Sequence, residues 1–368
     1  MTLDFLLREP ERSLIIESRK PGIWFKFFFN SYFRCHKLVA MRKFSLLLLS
    51  FVTFITSFSQ VYKNSFPLAH TFSIVARDSI TGEMAVAVQS HWFSVGTTVS
   101  WAEAGVGAVA TQSFVNKSFG IRGLELLRRG LTAQDALDVL LKDDEGREVR
   151  QVAIIDAKGN VATHTGKGCI QYATQIQGKQ FSVQSNMMLT DQVSKAMAAA
   201  FESSGNKPLG EKMLLALKAA QKAGGDIRGQ QSAALIVVPG KSEGKPWDER
   251  TVDLRVDDSK EPIKELRRLY TVHLAYEHMN NGDLATEKND MVKAMNEYNA
   301  AMQLMPSNLE MQYWTAITLA NNKEVDKALP ILKRVFAADK NWKELTRRLP
   351  SVNLLTVSEA DLKKILLQ

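Results

Sequence analysis

Thr71, Ser73 and His91 are the residues whose types and spacing point to chemistry. Thr71 and Ser73 open the run Thr71-Phe72-Ser73-Ile74-Val75-Ala76-Arg77-Asp78, and His91 follows the return run from Met84 to Ser90. Side chains alternate between two faces of a strand, so Thr71, Ser73 and Val75 share one face and Phe72, Ile74 and Ala76 the other. A hydroxyl pinned on a strand becomes a nucleophile when a base takes its proton, and a threonine at a chain's N-terminus carries that base as its own α-amine. Thr71 is therefore a candidate nucleophile; the ordinary alternative is a strand residue whose hydroxyl satisfies a nearby backbone group. Ser73 is a candidate for orienting a substrate from the same face. His91 is close to the start of the first strand if the hairpin is regular. It is a candidate acid or base near neutral pH, against a hydrogen-bonded histidine beside Trp92.

Other polar residues gather at expected strand ends. Thr111, Gln112 and Ser113 follow a strand expected over 105–112 and precede a helix, where N–H groups and an amide could cradle an oxyanion. Asn186, after the strand end Gln184-Ser185, is a candidate substrate contact. Asp226 and Arg228, framed by Gly224-Gly225 and Gly229, suit a bidentate pair that fixes a loop. Glu103 could pair with a substrate amine or with Arg122, and a plain surface charge is the favoured reading. Cys169, after Gly168, reads as a small packed residue without a basic activator. No His/Asp/Glu spacing reads as a metal site and no glycine-rich phosphate loop occurs, so no cofactor is expected.

These residues need a scaffold of strands and helices. Strands are expected at 71–78, 84–90, 105–112, 150–156, 160–165, 180–185, 231–238 and 251–256. Helices are expected at about 120–129, 133–142, 191–203 and 208–223. Thr132 with Asp135 forms a helix-entry pair. Strands and helix pairs come in blocks, which suits a layered α+β domain better than alternating βαβ winding. From Pro262 the pattern is helical only. Gly282, Ala294, Tyr298, Ala301 and Pro306 have tetratricopeptide-repeat spacings, and Ala316 and Ala328 lie 34 residues after Gly282 and Ala294. His278 and Lys340 depart from that pattern. Pro239 to Pro246 reads as a polar connector or a long hairpin loop into the strand at 251–256.

The 368-residue chain, 45% hydrophobic, has room for two domains. Its net charge of +8 is concentrated upstream: residues 1–59 hold nine basic and four acidic residues, and the rest is near neutral. A polyanion partner is therefore not expected, and no nucleic acid is assigned. Met41-Arg42-Lys43 and the apolar run Phe44 to Phe58 read as a secretory signal cut before Gln60, too short for a lasting membrane span. The expected organisation is a mis-assigned leader at 1–40, a signal at 41–59, and a pre-segment at 60–70. A layered α+β domain at 71–260 and a helical domain at 261–368 follow. Cys169 is the one cysteine downstream of the signal, so no disulfide framework is expected. The expected location is periplasmic or extracellular.

Several runs resemble the bacterial family called domain of unknown function 1028. They are Thr71 to Asp78, Val88-Gln89-Ser90-His91-Trp92-Phe93-Ser94-Val95-Gly96, Trp101 to Gln112, Gly123 to Leu127, Phe181 to Met188, and Gly225 to Ala234. The resemblance spans Thr71 to about Leu269. It implies the N-terminal-nucleophile hydrolase superfamily and its four-layer αββα sandwich, here followed by an all-α helical-repeat domain. It also implies a small amide or peptide substrate, with Thr71 attacking once the His70–Thr71 bond is cut. Many family members begin Met-Thr-Phe-Ser, whereas here Gln60 to His70 precede the threonine. The lysine that superfamily proteases commonly place on the third strand is missing. A homodimer is among the implied assemblies. The alternative is a non-catalytic binding module with the same sandwich, whose helical repeats recruit a protein or peptide.

Overall fold

The structure, a computed structural model, describes residues 68–368. The expected leader, signal and start of the pre-segment lie outside the described residues. In chain order the strands are β1 (Leu68–Ala69), β2 (Thr71–Arg77), β3 (Met84–Ser90), β4 (Ser100–Glu103), β5 (Gly107–Phe114) and β6 (Arg150–Asp156). They continue with β7 (Val161–Thr165), β8 (Thr174–Gly178), β9 (Phe181–Ser185), β10 (Ser232–Val238) and β11 (Val252–Val256). A six-stranded antiparallel sheet runs β11-β10-β3-β2-β9-β8, and a five-stranded one runs β1-β5-β6-β7 with β4 also on β5. β4 pairs with Gly107 to Ala110, and β1 pairs with Ser113 and Phe114 further along β5.

Period-two alternation sorts the strand residues into separate cores. Val75, Met84, Val86, Val88, Ala234 and Ile236 of the larger sheet meet Ala108, Ala110, Ala153 and Ile155 of the smaller one. On the other face of the larger sheet, Phe72, Ile74, Ala85 and Leu235 pack with Met197, Met213, Leu214 and Leu217. These belong to helices α4 (Val193–Glu202) and α5 (Leu209–Lys222), after the short α1 (Gly96–Val99). The other face of the smaller sheet buries Val109, Val152 and Ile154 against Leu124, Leu137 and Leu140. Those come from α2 (Ser118–Arg128) and α3 (Ala133–Lys142). Thr132 caps α3 by accepting from the Asp135 N–H at 3.2 Å. Among the described residues, Ala69 is the one member of these cores that precedes Thr71.

β8 was not expected because Thr174-Gln175-Ile176-Gln177-Gly178 holds one large apolar residue. It forms by pairing with β9 across a turn in which Gln180 adopts φ 61°. β4 is a four-residue return strand on β5, too short to register as a period. Pro239 to Pro246 lies in the β10–β11 hairpin loop.

From Pro262 the described chain is helical: α6 (Pro262–Glu287), α7 (Met291–Leu304), α8 (Leu309–Asn321), α9 (Val325–Ala338), α10 (Asn341–Arg348) and α11 (Glu359–Leu366). α6 packs on α7, and α8 on α9. Small residues permit the close approach: Ala294, Ala301, Ala316 and Ala328 are fully buried, and Gly282 lies against the ring of Tyr298. α6 serves two cores. Its Ile263, Leu266 and Tyr270 pack beneath the larger sheet with α5, whereas Ala275, Met279 and Ala285 pack with α7. No helix among the described residues is long and apolar enough to cross a membrane.

Candidate functional site

At one end of the two sheets the apolar layer between them gives way to polar residues. Thr71, Ser73, Gln112, Gln151, Gln184 and Asn186 have no solvent exposure, and His70 has 1%. Buried amides and hydroxyls cost free energy unless they find partners, and here they partner one another. Three backbone and side-chain oxygens fix the protons. Gln151 Nε2 lies 3.1 Å from the Ser185 carbonyl, 3.3 Å from that of Thr174 and 2.9 Å from Thr165 Oγ1. Carbonyls only accept, so this end of Gln151 is the NH2 group. Its Oε1 then accepts from Gln112 Nε2 at 2.7 Å and from Asn186 Nδ2 at 2.8 Å. Gln112 Oε1 in turn accepts from Ser73 Oγ at 2.6 Å. The Gln184 amide lies 3.0 Å from the same hydroxyl.

The chain of partners reaches His70. Asn186 Oδ1, now an acceptor, takes the His70 Nδ1–H at 2.7 Å, so the imidazole carries its proton on Nδ1. The His70 ring packs T-shaped against that of Phe114, with 5.7 Å between centroids and 89° between planes. Its Nε2 is buried without a partner. Burial pushes the His70 pKa below 6.5, and the nearby Arg228 guanidinium pushes the same way against Asn186 and Asp226. The ring is therefore neutral at pH 7.

The His70–Thr71 peptide bond is gripped on both sides. Ser90 Oγ donates to the His70 carbonyl at 2.6 Å, and Arg228 Nη2 donates to it at 2.8 Å. Ser90 reaches it because the β2–β3 register sets Thr71 opposite Ser90. Arg228 is held by two bonds to the buried Asp226 carboxylate, at 3.0 and 2.7 Å, while the other carboxylate lone pairs take the His91 and Arg228 N–H groups. The Thr71 carbonyl accepts from the Asn186 N–H at 3.1 Å and from Gln112 Nε2 at 3.2 Å. Thr71 Oγ1 donates to the Ala69 carbonyl at 2.7 Å. Positive φ values of non-glycine residues occur at the same end: Ser113 (71°), which pairs with Ala69, and Met187 (58°), next to Asn186. Backbone of this kind is strained and persists where the surroundings enforce it.

Thr71, Ser73, Gln112, Asn186, Asp226 and Arg228 are thus brought together, and His91 joins through its backbone. The His91 side chain is exposed and lies beside Gly229. Thr111 to Ser113 lie inside β5 rather than beyond it, with main chains paired to Val152, Gln151 and Arg150, so no helix terminus presents their N–H groups. Thr111 Oγ1 donates to Asn116 O. Glu103 pairs with Arg128, the last residue of α2, and not with Arg122. Cys169 Sγ donates to the Arg150 carbonyl, and burial raises its pKa. Among the described residues no group of His, Cys, Asp or Glu is placed to hold a metal. Sequence reasoning missed His70, Ser90 and Gln151. A signal for the strand ends existed: the Gln-Ser pairs Gln89-Ser90, Gln112-Ser113 and Gln184-Ser185 each fall at or next to the last residue of a buried strand.

The family model described as a family of unknown function, DUF1028, matches residues 71–266, beginning on Thr71 itself. The chain belongs to DUF1028. A crystal structure of a DUF1028 protein from Silicibacter pomeroyi is 31% identical, with a TM-score of 0.49, and the match covers 55% of this chain and 88% of that one. Anbu, an ancestral β-subunit from Yersinia bercovieri, is 12% identical with a TM-score of 0.29, over 54% of this chain and 93% of that one. None of the curated proteins compared matches the chain. The network around Thr71 lies wholly within the DUF1028 segment, except for His70 and the strand before it.

Proposed function

We propose that this DUF1028 chain is the precursor of an exported amide hydrolase of the N-terminal-nucleophile type, built on a four-layer αββα sandwich. Thr71 is the nucleophile. Its Oγ adds to the His70 carbonyl carbon, the His70–Thr71 C–N bond breaks, and the Oγ proton ends on the departing Thr71 nitrogen. Water then splits the resulting ester, leaving a carboxylate on His70 and restoring the Thr71 hydroxyl beside a free α-amine. In turnover that amine takes the Oγ proton while Oγ attacks a small amide or peptide. The C-terminal helices, read as tetratricopeptide-like repeats, recruit a protein or peptide.

One observation carries this reading. The carbonyl before Thr71 receives a hydroxyl from Ser90 and a guanidinium N–H from Arg228, where a ladder carbonyl would meet a backbone N–H. Fixed donors on the oxygen of the bond to be cut are what a tetrahedral oxyanion requires, and removing one such donor from a catalytic site costs about 10²–10³ in rate. The test is the N-terminus of the protein from its native host, by intact mass and terminal sequencing, beside a Thr71→Ala variant. The native protein should begin at Thr71, and the variant should keep His70 and hydrolyse no amide while remaining folded. A native chain that retains His70 refutes the proposal.

A second reading is favoured by a different contact. Thr71 is fully buried and its hydroxyl is committed to Ala69 O, as in a strand residue with no catalytic duty. On that reading the sandwich is a binding module. The same N-terminal measurement separates the two.

A further inference from the structure

We propose that the slot filled by Leu68 to His70 is the acyl-side subsite of the same centre. Its substrate would be an extended peptide with histidine, or another planar side chain bearing an N–H donor, just before the cleaved amide. The inference rests on the hydrolase reading above, and three features of the slot carry it. First, β4 leaves the edge of β5 at Ala110, and β1 takes up that edge again at Ser113 and Phe114. A segment lying there is recognised through its main chain, whatever its side chains. Second, the seat of the His70 ring offers an acceptor and no donor. Asn186 cannot turn its amide around, because its Nδ2 is engaged by Gln151 Oε1, so Oδ1 always faces the slot. The Phe114 ring forms another wall, and His70 Nε2 meets no hydrogen-bonding group. A carboxylate side chain would face Oδ1 without a donor, and an alkyl side chain would leave Oδ1 buried and unpaired. Third, the carbonyl seat made by Ser90 Oγ and Arg228 Nη2 becomes a carboxylate seat once the amide is cut, so an acyl product is held by a charge-assisted bond.

The test uses the chain beginning at Thr71, whether naturally cleaved or produced to start there; among the described residues, Ala69 is the one residue of the apolar cores that it lacks. Circular dichroism checks its fold. The probes are acetyl-Leu-Ala-Xaa peptides with free carboxylates, where Xaa is His, Gln, Leu or Asp, titrated calorimetrically at pH 7.5. His and Gln peptides should bind at least about tenfold tighter than Leu and Asp peptides, because only they bring an N–H donor to Asn186 Oδ1. Equal affinities, a preference for Asp, or no binding of any peptide would overturn the subsite. A matched amide, acetyl-Leu-Ala-His-aminomethylcoumarin, separates this from the parent reading. His-selective binding without turnover upholds the subsite and refutes the hydrolase. Turnover indifferent to Xaa does the reverse.

Discussion

A proton inventory governs the site at the residue scale. Starting from carbonyls that only accept, the amides of Gln151, Gln112 and Asn186 are oriented in turn, and the neutral Nδ1–H tautomer of His70 follows. This gives docking of the leading strand a pH dependence with a definite sign. The docked ring has a pKa below 6.5, whereas the ring of a released strand titrates normally, so below about pH 6.5 the released form binds more protons. The contribution of His70 is complete above its unfolded pKa and is lost as pH falls through the window below it. In a Thr71→Ala chain, which should stay uncut, amide hydrogen exchange over residues 68–71 should quicken between pH 7.5 and 5.5 after correction for intrinsic rates. His70→Gln should flatten the trend. A trend of opposite sign, or one that persists in His70→Gln, would show that another group controls docking. Replacing Ser90 by Ala tests the carbonyl grip separately: cleavage after His70 should slow by about 10²-fold with little change in melting temperature.

Elements with a strong period were legible, and those without one were not. β2 and β3 declared themselves through alternation and apolar content, and their register set Ser90 against Thr71. Asp226 and Arg228 were legible as a loop pair because glycines on both sides mark a constrained turn. β8, polar along its length, exists by pairing with β9, which no local pattern could announce. Gln151 was missed for a similar reason: it opens a buried strand, and its partners come from β5, β7, β8 and β9, far apart in sequence. Among the helices, Gly282 carries a prediction. A Cβ there would lie 2.4 Å from the Tyr298 ring, whose hydroxyl is tied to Asp283 at 2.7 Å and Thr286 at 3.2 Å. Gly282→Ala gains up to about 1 kcal/mol of helix propensity but forces the ring or helix apart at about 1–3 kcal/mol. Urea unfolding should show a lower midpoint for the helical segment, with the N-terminus of the chain and any amide turnover unchanged. A higher midpoint would mean that the Tyr298 ring is free to yield.

Among the described residues, the sheet core and the helical segment are joined by α6, a 26-residue helix that belongs to two cores without a linker between them. The sequence change at Pro262 falls before that helix, yet its first half completes the sheet core. Leu266 is fully buried, Tyr270 packs on Gly210, and burial pushes the Tyr270 phenol up to about 12. The Arg267–Glu211 ion pair ties the same turn of α6 to α5. Burying Ile263, Leu266 and Tyr270 contributes about 5–8 kcal/mol as an upper bound, comparable to the whole stability of an ordinary domain, about 5–15 kcal/mol. Two truncations therefore differ sharply although they end only thirteen residues apart. A chain ended after Glu261 exposes the face of β10 and β11 that α6 covers and should be recovered unfolded or aggregated. A chain ended after Leu274 keeps those contacts and should melt cooperatively within a few degrees of the full-length protein. Thermal unfolding followed by circular dichroism decides. If the shorter chain melts like the longer one, α6 is a passenger on the sheet core, and coupling between the helices and the Thr71 site has no structural carrier.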